Sequence, residues 1–408
     1  MNLLKISIAN LKEKKLNSFL SALLLTLGIG MISLLLLLNK QLDEQFRRNI
    51  RGIDMVVGAK GSPLQLILSS IYQIDAPTGN IPLSEVNGLK RNPFVKNVIP
   101  LSMGDNYHGF RIVGTSAKYP EHFQAKVSSG KLFAESMEVT LGSKVAAESG
   151  LKMGDTFESA HGLDAGGDKH GDKKYKVTGV FDATGSVIDQ LIITSLSSVW
   201  DIHEHAEEHI PASAEPEEEN AGEHHEEEKQ VTSALIQFRS PMGMLTLPRQ
   251  INENTSMQAA LPSIEINRLF SLLGVGIETL QSLAIIIITI AGVSVFISLY
   301  NSLKERKYEM ALMLSIGATR TRLFFMLLFE GLMLAVIGYL AGIALSRLGL
   351  YAFSKSAEQD FHYSLKEFGL LPEEIYLFAA AIGIGLLAAA LPSLGIYKLN
   401  ISRTLAEE

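Results

Sequence analysis

Residues 16–39 read LNSFLSALLLTLGIGMISLLLLLN and contain no charged side chain, with Lys15 before them and Lys40 after them. An α-helix rises about 1.5 Å per residue, so this segment is long enough to cross a hydrocarbon core of about 30 Å. Its apolar part is longer than the core of a secretory signal peptide, and no A-x-A-like cleavage site follows it. Both features favour an uncleaved membrane anchor over a signal peptide.

Three further segments have the same character and lie together near the end of the sequence, at 279–303, 323–346 and 375–397. The middle one contains a single charged residue, Glu330. The sequence therefore predicts four transmembrane helices arranged as one followed by three.

The orientation follows from Lys and Arg close to the ends of the spans, since basic residues are retained on the cytoplasmic side. Residues 1–15 and 304–322 are short and basic, whereas residues 347–374 contain more acids than bases. We expect 1–15, an amphipathic lead, the 304–322 loop and the 398–408 tail to be cytoplasmic. The large 40–278 region and the 347–374 loop are expected outside the cytoplasm.

The composition of the 408 residues narrows the function classes. The chain contains no Cys, which excludes disulfides and thiolate metal sites, and its net charge of −7 argues against a nucleic-acid partner. Mean hydropathy is +0.20, which the four spans explain. In the 40–278 region, β-branched runs such as KVTGVF at 176–181 alternate with helix-like pieces such as 143–149. We predict an integral membrane protein with a large extracytoplasmic α+β domain between helices 1 and 2.

The segment between the second and third spans, 301–322, reads NSLKERKYEMALMLSIGATRTR. Its periodicity predicts an amphipathic helix with Tyr308, Ala311, Leu312 and Ser315 on one face, and Gly317 permits a bend before the next span. Such a helix suits docking to a cytosolic partner. On periodicity alone, an interfacial helix with snorkelling lysines is the default interpretation.

This segment resembles the E-R-x-x-E-[IM]-x-x-[LM]-x-[AS]-[IL]-G-A-[TS]-[RK] sequence of FtsX/MacB-type ABC transporter permeases. The matching residues are Glu305, Arg306, Glu309, Met310, Ser315, Ile316, Gly317, Ala318, Thr319 and Arg320. Four other segments resemble the same family, namely 10–19, 139–155, 330–342 and 391–405. The last departs from the family pattern, since Gly395 and Ile396 replace a small-residue pair and Ile401 stands where proline is common.

The resemblance implies a bacterial inner-membrane permease that works as a homodimer or pseudo-dimer, with its external α+β domain of two lobes in the periplasm. A separate cytosolic ABC ATPase would bind ATP and Mg²⁺, so this chain would not itself be an enzyme. The residues from Glu305 to Ala318 would form a coupling helix that contacts this ATPase. ATP-driven motion would then reach the external domain, a mechanism called mechanotransmission, with membrane lipid and a periplasmic or outer-membrane accessory protein as further partners.

The sequence itself agrees with this division of labour, because it contains no G-x-x-x-x-G-K-[ST] phosphate-binding loop. It also shows no local motif for a catalytic triad. We therefore predict no catalytic residue and no directly bound cofactor.

Two features of the third span suggest packing roles. Glu330 is expected to face the helix bundle, either as a switch or as a carboxyl paired with a polar group of a neighbouring helix. Gly338 and Gly342 form a G-x-x-x-G pair, with Leu334 and Ser346 on the same face. This pair predicts a close helix–helix contact such as a dimer seam, although glycine is also simply common in membrane helices.

Residues 201–229 are rich in His and acidic side chains and are predicted to be a disordered loop. Without this segment the chain is net positive. Imidazole and carboxylate are ligands for Zn²⁺ and similar ions, so the loop is either a metal-binding segment or a solvated acidic insertion. The candidate ligands are His203, His205, His209, His224 and His225. Segments 56–68 and 74–82 also resemble a proteobacterial subgroup of these permeases associated with zinc-regulated transport genes.

The cargo stays open at this point. Divalent metal, a lipoprotein or an amphipathic molecule are all compatible with the resemblance, and so is a signal transducer that acts on an envelope partner without transporting anything. A secondary transporter is disfavoured, because the spans show neither a repeated half nor a pair of broken helices.

Overall fold

The computed structural model describes residues 3–13, 15–162, 173–206, 229–361 and 369–398. The chain divides into two compact units, one formed by residues 1–43 and 272–408 and the other by residues 44–271. We call the first the helix bundle and the second the α/β domain, and we describe each by itself.

Twelve α-helices occur in the described residues. In chain order they are α1 Leu3–Glu13, α2 Lys15–Ile50, α3 Pro63–Ile67, α4 Leu83–Leu89, α5 Lys118–His122, α6 Ser143–Ser149, α7 Leu196–Ala206, α8 Met242–Asn254, α9 Pro262–Glu305, α10 Lys307–Ser315, α11 Arg320–Phe361 and α12 Pro372–Ser393. A π-helical turn, Leu68–Tyr72, follows α3, and short 3₁₀ turns occupy Val187–Gln190 and Leu394–Lys398.

Four helices in the described residues are long and apolar enough to cross a membrane: Lys15–Ile50, Pro262–Glu305, Arg320–Lys355 and Pro372–Tyr397. They occur as one before the α/β domain and three after it. Large apolar side chains such as Ile285 on α9 and Leu387 on α12 are more than half exposed, as expected for helices surrounded by lipid. The predicted fold class, four apolar helices arranged 1+3 with a mixed α/β domain after the first, is therefore confirmed.

The bundle helices approach each other closely at small residues. A Cβ atom added to Gly385 of α12 would lie 2.6 Å from Ala335 Cβ and 2.9 Å from the Gly331 carbonyl oxygen of α11. One added to Gly331 would lie 2.6 Å from Ala389 Cβ. Because lipid tails are as apolar as the side chains, such close packing contributes much of the attraction between membrane helices.

The α/β domain is built on a mixed sheet. Its strands in the described residues are β1 Met55–Ala59, β2 Ile81–Pro82, β3 Val95–Tyr107, β4 Phe110–Thr115, β5 Val127–Gly130, β6 Glu138–Leu141, β7 Thr156–Phe157, β8 Ala160–His161, β9 Tyr175–Phe181, β10 Ile192–Ser195, β11 Gln230–Val231, β12 Ser233–Phe238 and β13 Met257–Ala260.

The main strand order is β13-β1-β12-β3-β4-β10-β6-β9-β5, with β7 paired to β9, β8 paired to β3, and a separate β2–β11 pair. The β4–β10 and β6–β9 pairs are parallel, whereas the other pairs are antiparallel. Strand β3 pairs with β12 over its first half and with β4 over its second half. Strand β3 therefore connects the two halves of the sheet.

Hydrophobic residues cover both faces of the sheet, because neighbouring side chains of a strand point to opposite sides. Ile99 and Val113 belong to one core, whereas Val98 and Ile112 belong to clusters on the other face. The first core also includes residues from the end of α2 and the start of α9. The opposite face is covered by α4, α6, α7 and α8.

Several helices extend beyond the predicted spans. The first span was predicted as 16–39, but α2 continues to Ile50; the second was predicted as 279–303, but α9 begins at Pro262. Likewise α11 runs from Arg320 to Phe361 and so occupies part of the predicted 347–374 loop. Absence of charge marks the apolar part of a helix, whereas charged residues are themselves good helix formers and allow the helix to continue.

The predicted disordered loop at 201–229 also differs from the structure at its start, since residues 201–206 complete α7. Val199 and Ile202 are buried at helical spacing, and this packing holds the last turns of α7 on the domain. Residues 207–228, and the tail residues 399–408, lie outside the described residues.

Candidate functional site

The connection between α9 and α11 is a short helix bounded by two breaks. Arg306 separates α9 from α10 and has a non-helical backbone, with φ −100° and ψ 20°. Gly317 ends the segment with φ +103°, a conformation that favours glycine. The Gly317 and Ala318 N–H groups donate to the Leu314 and Met313 carbonyls at 3.1 and 2.9 Å, which satisfies the end of α10. The sequence predicted one coupling helix from Glu305 to Ala318, whereas the structure contains a nine-residue helix, Lys307–Ser315.

The two faces of α10 differ sharply. Met310 and Ala311 are fully buried, and Met310 packs in a cluster with Leu323, Met326 and Leu327 of α11. Tyr308, Leu312 and Ile316 are 41, 44 and 79% exposed. One of the four residues predicted for the docking face is wrong, because Ala311 faces the bundle. Met310 of the family motif is also buried and packs against α11. Ser315 is exposed, and its hydroxyl donates to the Leu312 carbonyl at 2.8 Å.

Arg306 connects the exposed surface of α10 to the interior of the bundle. Its Nε donates to Glu309 Oε2 at 2.8 Å, and Glu309 is more than half exposed. Its Nη1 lies 4.0 Å from Oε1 of Glu330, a carboxylate with only 2% of its side chain exposed. The same Glu330 oxygen accepts a hydrogen bond from Asn10 Nδ2 of α1. We call Asn10, Arg306, Glu309 and Glu330 the inner cluster.

A second buried carboxylate, Glu374, lies at the other end of α11. Arg347 binds it with both terminal guanidinium nitrogens, Nη1 to Oε1 at 2.5 Å and Nη2 to Oε2 at 2.8 Å. Ser33 of α2 donates to Glu374 Oε1 at 2.5 Å, and the Leu371 N–H donates to Oε2 at 2.9 Å. Glu374 is 1% exposed. We call Ser33, Ser346, Arg347 and Glu374 the outer clasp, because it joins α2, α11 and α12.

Sequence reasoning missed the outer clasp. Arg347 and Glu374 bound the third and fourth charge-free segments, so both resemble ordinary flanking charges. Their pairing depends on a distance between residues far apart in the sequence, and no local pattern signals it.

Comparison of the sequence with models of known protein families shows to which family this chain belongs. The family model for the MacB-like periplasmic core domain matches residues 18–223, which is half of the chain. The family model for the FtsX-like permease C-terminal region matches residues 282–401. This chain is a member of the FtsX/MacB-type permease family. The predicted resemblance is confirmed.

Solved structures similar to this permease include the periplasmic region of MacB from Actinobacillus actinomycetemcomitans. The identity is 13% and the TM-score 0.34, with 54% of this chain and 95% of that chain covered. The extracellular domain of the noncanonic ABC-type transporter YknZ from Gram-positive bacteria is 14% identical with a TM-score of 0.30, covering 50% of this chain and 98% of that one. The comparison with curated proteins finds no match.

The glycine pair of the permease lies against α2. A Cβ atom on Gly338 would lie 2.7 Å from Leu25 Cβ, and one on Gly342 would lie 3.0 Å from Ile29 Cβ and 3.1 Å from the Gly30 nitrogen. The hydroxyl oxygen of Ser346, on the same face, lies 2.8 Å from that of Ser33. In this structure the pair forms a contact between two helices of one chain.

Only two of the five predicted metal ligands of the permease belong to the described residues. His203 and His205 lie in the last turns of α7, and His209, His224 and His225 lie outside the described residues. Among the side chains that are described, no group of three or more His, Asp or Glu residues is arranged to hold a metal ion.

Proposed function

We propose that this chain is the membrane subunit of an ABC system, in which a separate cytosolic ATPase drives the bundle and through it the α/β domain. The observation that carries the proposal is α10, a short helix packed on the bundle through Met310 and Ala311 that presents Tyr308, Leu312 and Ile316 outward. A partly apolar exposed face next to charged residues is typical of a protein-binding surface. The chain also lacks a phosphate-binding loop, so ATP hydrolysis requires a partner.

The inner cluster supplies the route by which this contact reaches the bundle. An ATPase that binds at Glu309 or moves α10 would displace Arg306, which faces both Glu309 and the buried Glu330. Because Asn10 also binds Glu330, the same displacement would act on α1. The apolar helices α2 and α9 each continue without a break into segments that belong to the α/β domain. This continuity supports mechanotransmission as the mechanism.

The location and assembly follow from the same proposal. We place the protein in the bacterial inner membrane, with α10 on the cytoplasmic side and the α/β domain in the periplasm, in agreement with the basic 304–322 segment. Two permease copies, identical or related, would bind the ATPase dimer, and lipid would contact the exposed apolar side chains of α9 and α12. An accessory periplasmic or outer-membrane protein would bind the α/β domain.

The test is recovery of ATPase activity with the purified full-length permease after co-expression with the ATP-binding subunit of its own bacterium. Leu312→Asp places a charge on the exposed face of α10 and is expected to reduce the co-purified ATPase activity about tenfold or more. Leu245→Asp is the matched control, because Leu245 is an exposed residue of the α/β domain. Equal activity in both variants, or no ATPase activity with the unaltered chain, would contradict the proposal.

For the cargo we propose divalent metal, with the His-rich 201–229 segment as its capture site. The support is compositional, five His among many carboxylates. Calorimetric titration of the full chain with Zn²⁺, with and without residues 207–228, tests it. Identical heats would remove metal as the favoured cargo and leave a lipoprotein, an amphipathic molecule or signal transduction.

A further inference from the structure

The α/β domain contains a cavity of about 620 Å³ that has no role in the coupling described above. One wall is the end of α2 and the turn after it, with Arg47, Arg48 and Arg51. The other walls are the end of α5 and the residues after it, with His122 and Gln124, and the loop between β9 and β10, with Thr184 and Ser186.

The charge of the cavity wall is strongly positive. Three arginines line it, with a single acidic residue, Glu44, on the same helix as Arg47 and Arg48. Arg48 donates from Nη1 to the Gly185 carbonyl at 3.2 Å, so its guanidinium rests on the β9–β10 loop. Cations at a helix C-terminus are stabilised by the helix dipole, but that effect requires no cavity and no contact with a distant loop.

The β9–β10 loop is held rigidly in place. Asp189 accepts hydrogen bonds from the Thr184 and Gly185 N–H groups at 2.9 and 2.7 Å, and the Val187 N–H donates to Asn49 Oδ1 at 2.9 Å. Gly185 has φ +71°, and a Cβ atom there would lie 2.5 Å from Arg48 Nη1. A side chain at residue 185 would therefore displace the end of the Arg48 side chain from this position.

A chain of hydrogen bonds fixes the proton of His122. Lys118 can only donate, and it donates to Asn97 Oδ1 at 3.4 Å. Asn97 Nδ2 then donates to Gln237 Oε1 at 2.8 Å, and Gln237 Nε2 lies 2.9 Å from His122 Nδ1. His122 Nδ1 is therefore the acceptor and Nε2 carries the proton. Burial lowers the pKa of His122, so the ring is a neutral donor.

Gln124, on the same wall, adopts the left-handed conformation with φ 53°. Non-glycine residues rarely adopt this conformation, and such positions are found more often at binding sites than elsewhere.

We propose that this cavity binds a phosphate ester, either a soluble phosphorylated compound or the head group of an anionic phospholipid. Guanidinium groups match phosphate oxygens in charge and geometry, and the neutral His122 adds an N–H donor rather than a competing lone pair. The volume exceeds that of a bare phosphate and falls within the usual range for small-molecule sites, so the organic part of the ester is accommodated as well.

The experiment is calorimetric titration of the full-length protein in a neutral detergent with glycerol 3-phosphate, with succinate as a dicarboxylate comparison. A parallel arm measures binding of the protein in nanodiscs with and without phosphatidylglycerol by the quenching of a labelled lipid. The variants are Arg48→Gln and Arg51→Gln, which remove charge from the wall, and Gly185→Ala, which displaces Arg48 while keeping every charge. Arg91→Gln is the matched control, since Arg91 is an exposed arginine of the same domain that does not line the cavity.

The expected result is a dissociation constant that rises about tenfold in each wall variant and is unchanged in Arg91→Gln, because a charge-assisted hydrogen bond contributes on this order. Binding of glycerol 3-phosphate identifies a soluble ester, and binding only in nanodiscs with phosphatidylglycerol identifies a lipid head group. Absence of both, equal binding of succinate, or equal weakening in Arg91→Gln would overturn the proposal. No nucleotide or ATPase is present, so this outcome is independent of the coupling experiment.

Discussion

Two buried carboxylates in the described part of the helix bundle are held in very different ways. Glu374, in the outer clasp, is bound by both terminal guanidinium nitrogens of Arg347, by Ser33 and by a backbone N–H, all within 2.9 Å. Glu330, in the inner cluster, accepts from the Asn10 amide, and the Arg306 guanidinium stays 4.0 Å away. One carboxylate is locked between three helices, whereas the other faces a cation that also binds an exposed residue.

This difference indicates where the bundle is rigid and where it can respond. A bidentate ion pair in a buried setting is rigid, because moving either partner leaves an uncompensated charge. Arg306 has a second carboxylate partner, Glu309, so a change in its distance to Glu330 does not leave the guanidinium without a counter-charge. In the proposed mechanism the inner cluster would therefore be the adjustable end of α11, and the outer clasp would be its fixed end.

The largest effect is expected from Glu374→Gln. The substitution leaves the Arg347 charge buried without a counter-charge, so we expect a loss of about 3–5 kcal/mol in the free energy of unfolding. Thermal unfolding of the full-length protein in detergent measures it. Glu373→Gln is the control, since Glu373 is the exposed neighbour on the same helix turn. Equal stability of the two variants would mean that the outer clasp does not hold the bundle.

A slightly smaller effect is expected from Gly385→Leu, at the α11–α12 contact that lies between the two carboxylates. The added side chain would collide with Ala335 and with the Gly331 carbonyl, and overpacking of this kind costs about 1–3 kcal/mol. Gly383→Leu is the matched control on the same helix, because a Cβ atom at Gly383 meets nothing within 4 Å. The same unfolding assay compares them. If both variants unfold alike, the contact is loose enough to rearrange.

Glu330→Gln tests the inner cluster in the same way as Glu374→Gln tests the outer clasp. A neutral amide of the same shape still accepts from Asn10, and Arg306 keeps its ion pair with Glu309, so we expect a stability loss of about 1–2 kcal/mol. Coupling should suffer more than stability, with ATPase stimulation by the permease reduced severalfold. A double-mutant cycle with Asn10→Ala measures the pair energy. A loss as large as that of Glu374→Gln would show that the two ends are equally rigid.

Sequence reasoning predicted the parts of this molecule that have a local signal. Long apolar segments with at most one charged residue predicted the four helices, and residues 305–320 carried the family resemblance. The face of α10 was only partly predicted, because the helix is apolar on more than one side and the burial of Met310 and Ala311 depends on where α11 lies.

The remaining features require distances between remote residues. Gly331 and Gly385 are unremarkable in the sequence, since glycine is common in membrane helices, and only the structure shows them in contact. The arginines at 47, 48 and 51 look like a solvated end of a helix until the β9–β10 loop is placed beside them. Contacts between such remote residues depend on tertiary packing, so neither the periodicity nor the spacing of residues in the sequence predicts them.

A third carboxylate, Glu138 at the start of β6, extends the comparison to an aqueous setting and to the smallest expected effect. Lys131 Nζ donates to it at 2.9 Å and the Ala134 and Glu135 N–H groups donate at 2.9 and 3.2 Å. These bonds, with that of Lys131 the strongest influence, lower the pKa of Glu138 from 4.5 to about 2. The stability they provide is therefore present above about pH 4.5 and is lost as the pH falls towards 2.

Because Lys131 is largely exposed, solvent screening should limit this contribution to about 1 kcal/mol. Glu138→Gln should lower the unfolding temperature slightly near neutral pH and make the difference from the unaltered protein vanish in acid. Glu135→Gln, at an exposed neighbour, is the control and should leave the pH dependence unchanged. A Glu138→Gln effect that persists unchanged in acid would mean that the charge of this carboxylate is not what stabilises the turn. In that case the stability of the protein would depend on the charge of the buried Glu374 but not on the charge of Glu138.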